Sequence, residues 1–295
     1  MNNRGEAWGP ERPVGVSMVG HQFDASREVS VVPPVLVFNA EGHSPFVLAC
    51  DHASNRFPEP YGDLGLTPHQ RLMHVAWDPG AMAVALQLSD LLDAPLVAST
   101  VSRLVIDCNR RHDAPDLIPI TSERTEIPGN KGIGDNERAR RIGAFHEPFH
   151  LALEGVLDGR KAAGIETVLV TVHSFTPVYK DVPRPWPIGL IHAHDDRFTA
   201  ALRDALVAED AELNVGWNQP YSALNGVTYT LEHHGEDRGL EATMIEIRHD
   251  EILEPEGVAR WAARLARCLE AALGARGGAT ATSPTDQDTS VHRRV

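Results

Sequence analysis

The sequence predicts a single α/β domain with a central mixed, mostly parallel sheet flanked by helices on both faces. Three observations predict it. Short β-branched runs recur along the chain, longer segments between them carry apolar residues at helical spacing, and 295 residues with 42% hydrophobic content can bury one large core. Runs this continuously apolar fit strands covered on both sides, the condition of a mostly parallel sheet.

Taken in chain order, the predicted strands are VLVFNA, FVLACD, PLVAST, LVID, TVLVTV, PIGLIH and TMIEIR. Helical periodicity appears over residues 79–92, 136–163, 195–208 and 255–273. In the second of these, Ile142, Phe145, Phe149, Leu153, Val156 and Leu157 share one face, as a helix lying on a sheet requires. Residues 1–32 mix Gly, Pro and charge without period, and residues 276–295 are small, polar and low in complexity. The expected organisation is therefore a flexible N-terminal segment over 1–32, a folded domain over 33–275 and a disordered tail over 276–295.

The formal net charge of −14 repels a polyanion, so nucleic acid is excluded as a partner, while a local arginine cluster still permits a small anionic substrate. Cys50, Cys108 and Cys268 are far apart and form no CxxC pair, so neither a disulfide framework nor a thiolate zinc site is expected. The N-terminus lacks a signal-peptide pattern and no stretch has the length of a membrane span. A cytoplasmic protein without membrane contact is expected.

In parallel sheets ligands gather beyond the carboxyl ends of the strands. FVLACDHASN puts Asp51 and His52 at one such end, TVLVTVHSF puts His173 and Ser174 at a second, and TMIEIRHD brings Glu246 and Arg248 to a third. Residues two apart on a strand share a face, so Glu246 and Arg248 are expected to look into one cleft. Two imidazoles and a carboxylate converging from separate strands suit Zn2+, whose catalytic sites hold three protein ligands and leave one position open. His192 and His194 in IHAH are the nearest competitors, and HEPFH at 146–150 lacks the HExxH order and reads as structural. In SRLVIDCNRR, Arg103, Asn109 and Arg110 are suited to bidentate recognition of a carboxylate, or else to a salt-bridge network organised by Asp107. Asp78-Pro79 reads as a helix N-cap followed by a first-turn proline, or as a further metal-reaching carboxylate. A serine nucleophile at Ser54 or Ser174 would lack the GxSxG elbow.

Taken together, CDHASNRFP, HVAWDPGA, SRLVIDCNR, TVHSF and IEIRHD, in that order over residues 35–252, resemble the N-formylglutamate amidohydrolase family. The resemblance implies a metal-dependent hydrolase with a fold similar to zinc carboxypeptidases and aminoacylases. It implies His52 and His173 on a Zn2+ or other divalent ion, and Glu246 as the acid-base carboxylate. Such enzymes usually carry Glu three residues after the first ligand histidine; Asn55 stands there, so the third ligand is assigned to Asp78 within WDPGA. Arg103, Asn109, Arg110, Ser174 and Arg248 are then the substrate-binding residues of a small carboxylate-bearing N-acyl amino acid. CDHAS stands where histidine-pathway deformylases have a Pro-His-x-Gly pattern, which leaves the acyl group and the amino acid open. A non-catalytic anion-binding or scaffolding protein retaining the fold is the alternative.

Overall fold

The computed structural model describes residues 32–221 and 226–279. Seven strands, β1 to β7, are Val35–Phe38, Phe46–Cys50, Leu96–Ser99, Val168–Phe175, Ile188–Ile191, Val215–Trp217 and Glu241–Arg248. They form one sheet in the order β1-β3-β2-β4-β7-β5-β6. The β3-β2, β2-β4, β4-β7 and β5-β6 pairings are parallel, and only β1-β3 and β7-β5 are antiparallel. This is the mixed, mostly parallel sheet that the apolar runs predict.

Alternation along each strand feeds two cores. Leu48 and Cys50 of β2, Val170 and Val172 of β4 and Ile245 and Ile247 of β7 face helices α1 (Ala81–Leu92), α3 (Arg197–Glu209) and α5 (Pro255–Ala279). Val47, Ala49, Leu169 and Met244, one residue out of phase, pack against Phe149, Leu153 and Leu157 of α2 (Glu147–Ala162) and Leu231 of α4 (Tyr229–His234). Every residue of β2, β3 and β4 is therefore buried. No helix among the described residues is long and apolar enough to cross a membrane.

Two expectations need correction, and one strand was not anticipated. Residues 104–107, LVID, are not a strand but a turn and loop, although Leu104, Val105 and Ile106 are all at most 1% exposed. They anchor two satellite clusters beneath the loop, with Leu66, Ala76 and Ile127 in one and Val101 and Leu117 in the other. The backbone is satisfied without a ladder, Val105 N donating to Ser102 O and Asn130 Nδ2 to Leu104 O. The amphipathic segment 136–163 also divides: Asp135–Arg141 leads into a π-helical turn at Ile142–His146 before α2 begins. That turn shifts the phase, so Ile142 and Phe145 pack into the loop clusters while Phe149, Leu153 and Leu157 meet the sheet. Val215–Trp217 forms an edge strand that the sequence pattern did not single out. Helix α5 continues through Ala279, into the first residues of the tail expected over 276–295, and the rest of that tail and residues 1–31 of the expected N-terminal segment 1–32 lie outside the described residues.

Candidate active site

Because β2, β4 and β7 run parallel, their carboxyl ends deliver Asp51 and His52, His173, and Glu246 to one edge of the sheet, with His173 and Glu246 directly paired in register. Asp78 reaches the same place from the turn before α1. It does not cap that helix: the N-cap is Gly80, at φ 82°, where a Cβ would lie 2.4 Å from Ile252 O. Freed from capping, the Asp78 carboxylate stands between the two imidazoles. Its Oδ2 lies 3.2 Å from His52 Nδ1 and 2.9 Å from His173 Nδ1. The far nitrogens are backed in turn, His52 Nε2 donating to Asp107 Oδ1 at 2.7 Å. His173 Nε2 lies 3.1 Å from Asp51 Oδ2, an ion-pair approach bent out of hydrogen-bonding alignment. Asp51 is held by the Thr230 hydroxyl at 2.7 Å, and Arg103 spans Asp78 Oδ1 at 3.2 Å and Asp107 Oδ2 at 3.1 Å.

Four buried carboxylates, Asp51, Asp78, Asp107 and Glu246, thus surround one guanidinium and two imidazoles. Burial alone would raise Asp78, but the His52 charge, the bonds from both imidazoles and Arg103 hold it far below the usual carboxylate range. Asp107 is held down likewise, against burial, by His52 and Arg103. Burial would lower His173, yet its contacts with Asp51 and Asp78 hold it up at about 10. Glu246 goes the other way: burial, reinforced by the Asp78 charge and resisted by His173, raises it to about 7. Its Oε2 has no hydrogen-bond partner among the described residues.

The donor set fits a divalent cation. His52, Asp78 and His173, all buried, each present a ligand atom, and the three atoms lie within 4.8 Å of one another. Once the ion displaces the protons that the carboxylates favour on the two rings, two imidazoles and an excess of carboxylate are what a zinc-type ion requires. The Asp107 and Asp51 carboxylates behind the rings are the outer partners that orient such ligands.

A cavity of about 250 Å3 opens over this cluster, lined by His52, Asp78, Arg103, His173, Ser174 and Glu246, and further out by Asn109, Arg110, Tyr221 and Glu123. Eight of the nine residues singled out from the sequence therefore line one cavity. Arg248 does not. It ends its strand, and its long side chain is taken up by Asp250 at 2.7 Å, by Glu251 and by Arg184 O rather than turning into the cleft. The other polar groups differ in what they leave free. Asn109 spends both ends of its amide on the backbone, donating to Val227 O and accepting from Thr230 N. Arg110 bonds Asp116 and Gly226 O, and the Ser174 hydroxyl donates to Pro79 O. The Ser174 hydroxyl is thus bonded to a carbonyl and to no base among the described residues, and Ser54 does not line the cavity. His192 and His194 bond Asn218 and Glu236 away from the cavity. The imidazole-backing roles of Asp51 and Asp107 were missed, although both stand in the motifs singled out, Asp51 beside His52 and Asp107 two residues before Asn109; Tyr221 carried no sequence signal.

A buried histidine-carboxylate cluster at the carboxyl ends of a mixed α/β sheet, with an unpartnered carboxylate beside it, is an arrangement that fits a hydrolase built on strand ends. The chain belongs to the N-formylglutamate amidohydrolase family, which matches residues 44–253. Among solved structures it is similar to the gene product Atu2144 from Agrobacterium tumefaciens, at 41% identity and a TM-score of 0.81, covering 83% of this chain and 97% of that one. The N-formylglutamate amidohydrolase from Ralstonia eutropha JMP134 shares the fold at 20% identity and a TM-score of 0.61, over 84% of this chain and 100% of that one. No curated protein matches the chain.

Proposed function

We propose that the protein hydrolyses the amide bond of a small N-acyl amino acid that bears a free carboxylate, with N-formyl compounds among the candidates, and that it does so with a divalent ion, Zn2+ first, on His52, Asp78 and His173. The observation that carries this reading is the position of Glu246, buried and unpartnered, in the same cavity as the three converging donors. When bound, such an ion polarises the acyl oxygen and lowers the pKa of water towards about 7. Glu246, itself raised to about 7, is poised to take the proton of the attacking water and return it to the leaving amine nitrogen. Asp107 and Asp51 fix the ring orientation of His52 and His173. Arg103, a quarter exposed, and Arg110 form the cationic side of the cavity against which a substrate carboxylate is held. The non-catalytic alternative is not favoured, because a scaffold has no use for an unpaired buried carboxylate. Three free, buried cysteines accord with a reducing cytoplasm as the compartment.

The test is amine release from N-formyl, N-acetyl and larger N-acyl amino acids by the purified protein, before and after chelation and Zn2+ return. Turnover that is lost with the metal and restored by it is expected. Equal turnover in the stripped protein would overturn the metal assignment, and no turnover across the panel would overturn the substrate class.

A further inference from the structure

A second histidine cluster lies under α4, and its hydrogen bonds can be followed proton by proton. His150 Nε2 is 2.9 Å from Cys108 O; a carbonyl only accepts, so the ring carries its hydrogen on Nε2. His150 is 6% exposed and has no carboxylate bonded to it, so it is neutral, with a bare lone pair on Nδ1. His234 Nε2, 2.7 Å from that lone pair, must be the donor. The remaining nitrogen of His234, Nδ1, is then an acceptor in a fully buried side chain, and among the described residues nothing donates to it. Leaving such an atom unmatched is costly, of the order of 1–3 kcal/mol. Glu154 of α2, His233 and His234 each present one ligand atom, and the three atoms lie within 4.8 Å of one another; with Nε2 of His234 given to His150, Nδ1 is the nitrogen it has left for an ion.

We propose that Glu154, His233 and His234 form a second, structural metal site, taking an ion that favours imidazole with carboxylate, Zn2+ foremost and Ni2+ or Cu2+ next. The site is half preformed. His234 is locked by the His150 to Cys108 relay, an arrangement that orients ligating imidazoles, whereas His233 and Glu154, 38% and 31% exposed in their side chains, lie 3.5 Å apart and make only long polar contacts elsewhere among the described residues, His233 to Asp237 at 3.8 Å and Glu154 to Arg238 at 3.9 Å, which an ion between them would displace. Metal there would clip the six-residue helix α4 to α2. The same α4 supplies Thr230, whose hydroxyl holds Asp51 and whose N–H holds Asn109, so the clip would steady the groups behind His173.

The experiment is metal stoichiometry on the full chain, stripped by chelator and titrated with Zn2+, in the wild type and in His173→Ala, Glu154→Gln and His233→Ala. Two equivalents are expected for the wild type and one for each variant, with none in His173→Ala combined with His233→Ala. A Tm rise on adding Zn2+ to His173→Ala should disappear in that double variant. Glu154 and His233 are partly exposed, so their variants are read without loss of the buried ring. One equivalent in both the wild type and Glu154→Gln, and none in His173→Ala, would overturn the second site while leaving the first intact. One equivalent retained in His173→Ala and lost with His233→Ala would support the second site whatever becomes of the first.

Discussion

Replacing Glu246 by Gln should make the metal-free protein more stable and the metal-loaded protein nearly inactive. The carboxyl is 4% exposed and raised from 4.5 to about 7, chiefly by burial. Between those values the unfolded chain releases a proton that the folded chain keeps, so stability falls as pH rises through the window. The slope is about 1.4 kcal/mol per pH unit. By pH 8 the ionised, buried Glu246 costs about 3 kcal/mol, which the near-isosteric amide does not incur. At roughly 2–4 °C per kcal/mol for a domain of this size, Tm in chelator should rise by about 6–12 °C at pH 8 and hardly at all at pH 4.5. Metal content should be unchanged, and turnover should drop at least about 100-fold, because an amide cannot accept the water's proton. Differential scanning fluorimetry across pH and steady-state kinetics read the two effects separately. Near-normal turnover in a metal-loaded variant would remove Glu246 from proton transfer, and a Tm gain independent of pH would refute the account of its burial.

Metal occupancy should collapse in His52→Ala or His173→Ala and stay intact in His192→Ala, measured by elemental analysis; Asp107→Asn, which removes the carboxylate behind His52, should weaken affinity by about 10- to 100-fold. His146 is pushed down by burial to about 4, so the stability it confers is complete above the unfolded value of about 6.5 and is lost as pH falls below it. Urea denaturation of the stripped protein between pH 6.5 and 5 should therefore show a slope shallower by about 1.4 kcal/mol per unit in His146→Gln than in the wild type, and equal slopes would contradict the neutral burial of that ring. Acids should be hydrolysed well and their amides poorly, with Arg110→Met narrowing the gap by roughly ten- to 150-fold; Arg103→Met is the less clean probe, since Arg103 also bridges Asp78 and Asp107.

Much of this site was legible because two local rules carry far. Continuous apolar runs mark strands buried on both faces, and parallel strands deliver the residues at their carboxyl ends to one edge, which is how His52, His173 and Glu246 could be grouped from the sequence alone. The same rules failed at LVID and Arg248. An apolar run records burial and not conformation, and Leu104 to Ile106 are buried under a loop instead of in the sheet. Shared parity places a Cβ on a face, but a long arginine at a strand end goes to whichever carboxylates are near, here Asp250 and Glu251 in the turn after the strand.

The alternation of strand and helix, the apolar faces of α1, α2, α3 and α5, and the residue types gathered at the strand ends can all be read from the chain, because these depend on periodicities of two and 3.6 residues. How those residues are joined is a property of the folded molecule. Asp78 meets His52 across 26 positions of chain and His173 across 95, Thr230 meets Asp51 across 179, and His150 meets His234 across 84. Whether Asp78 caps a helix or bridges two imidazoles, and whether Glu246 ends up paired or alone, depends on which groups packing brings within about 3 Å and on the water it excludes. No spacing in the chain encodes either.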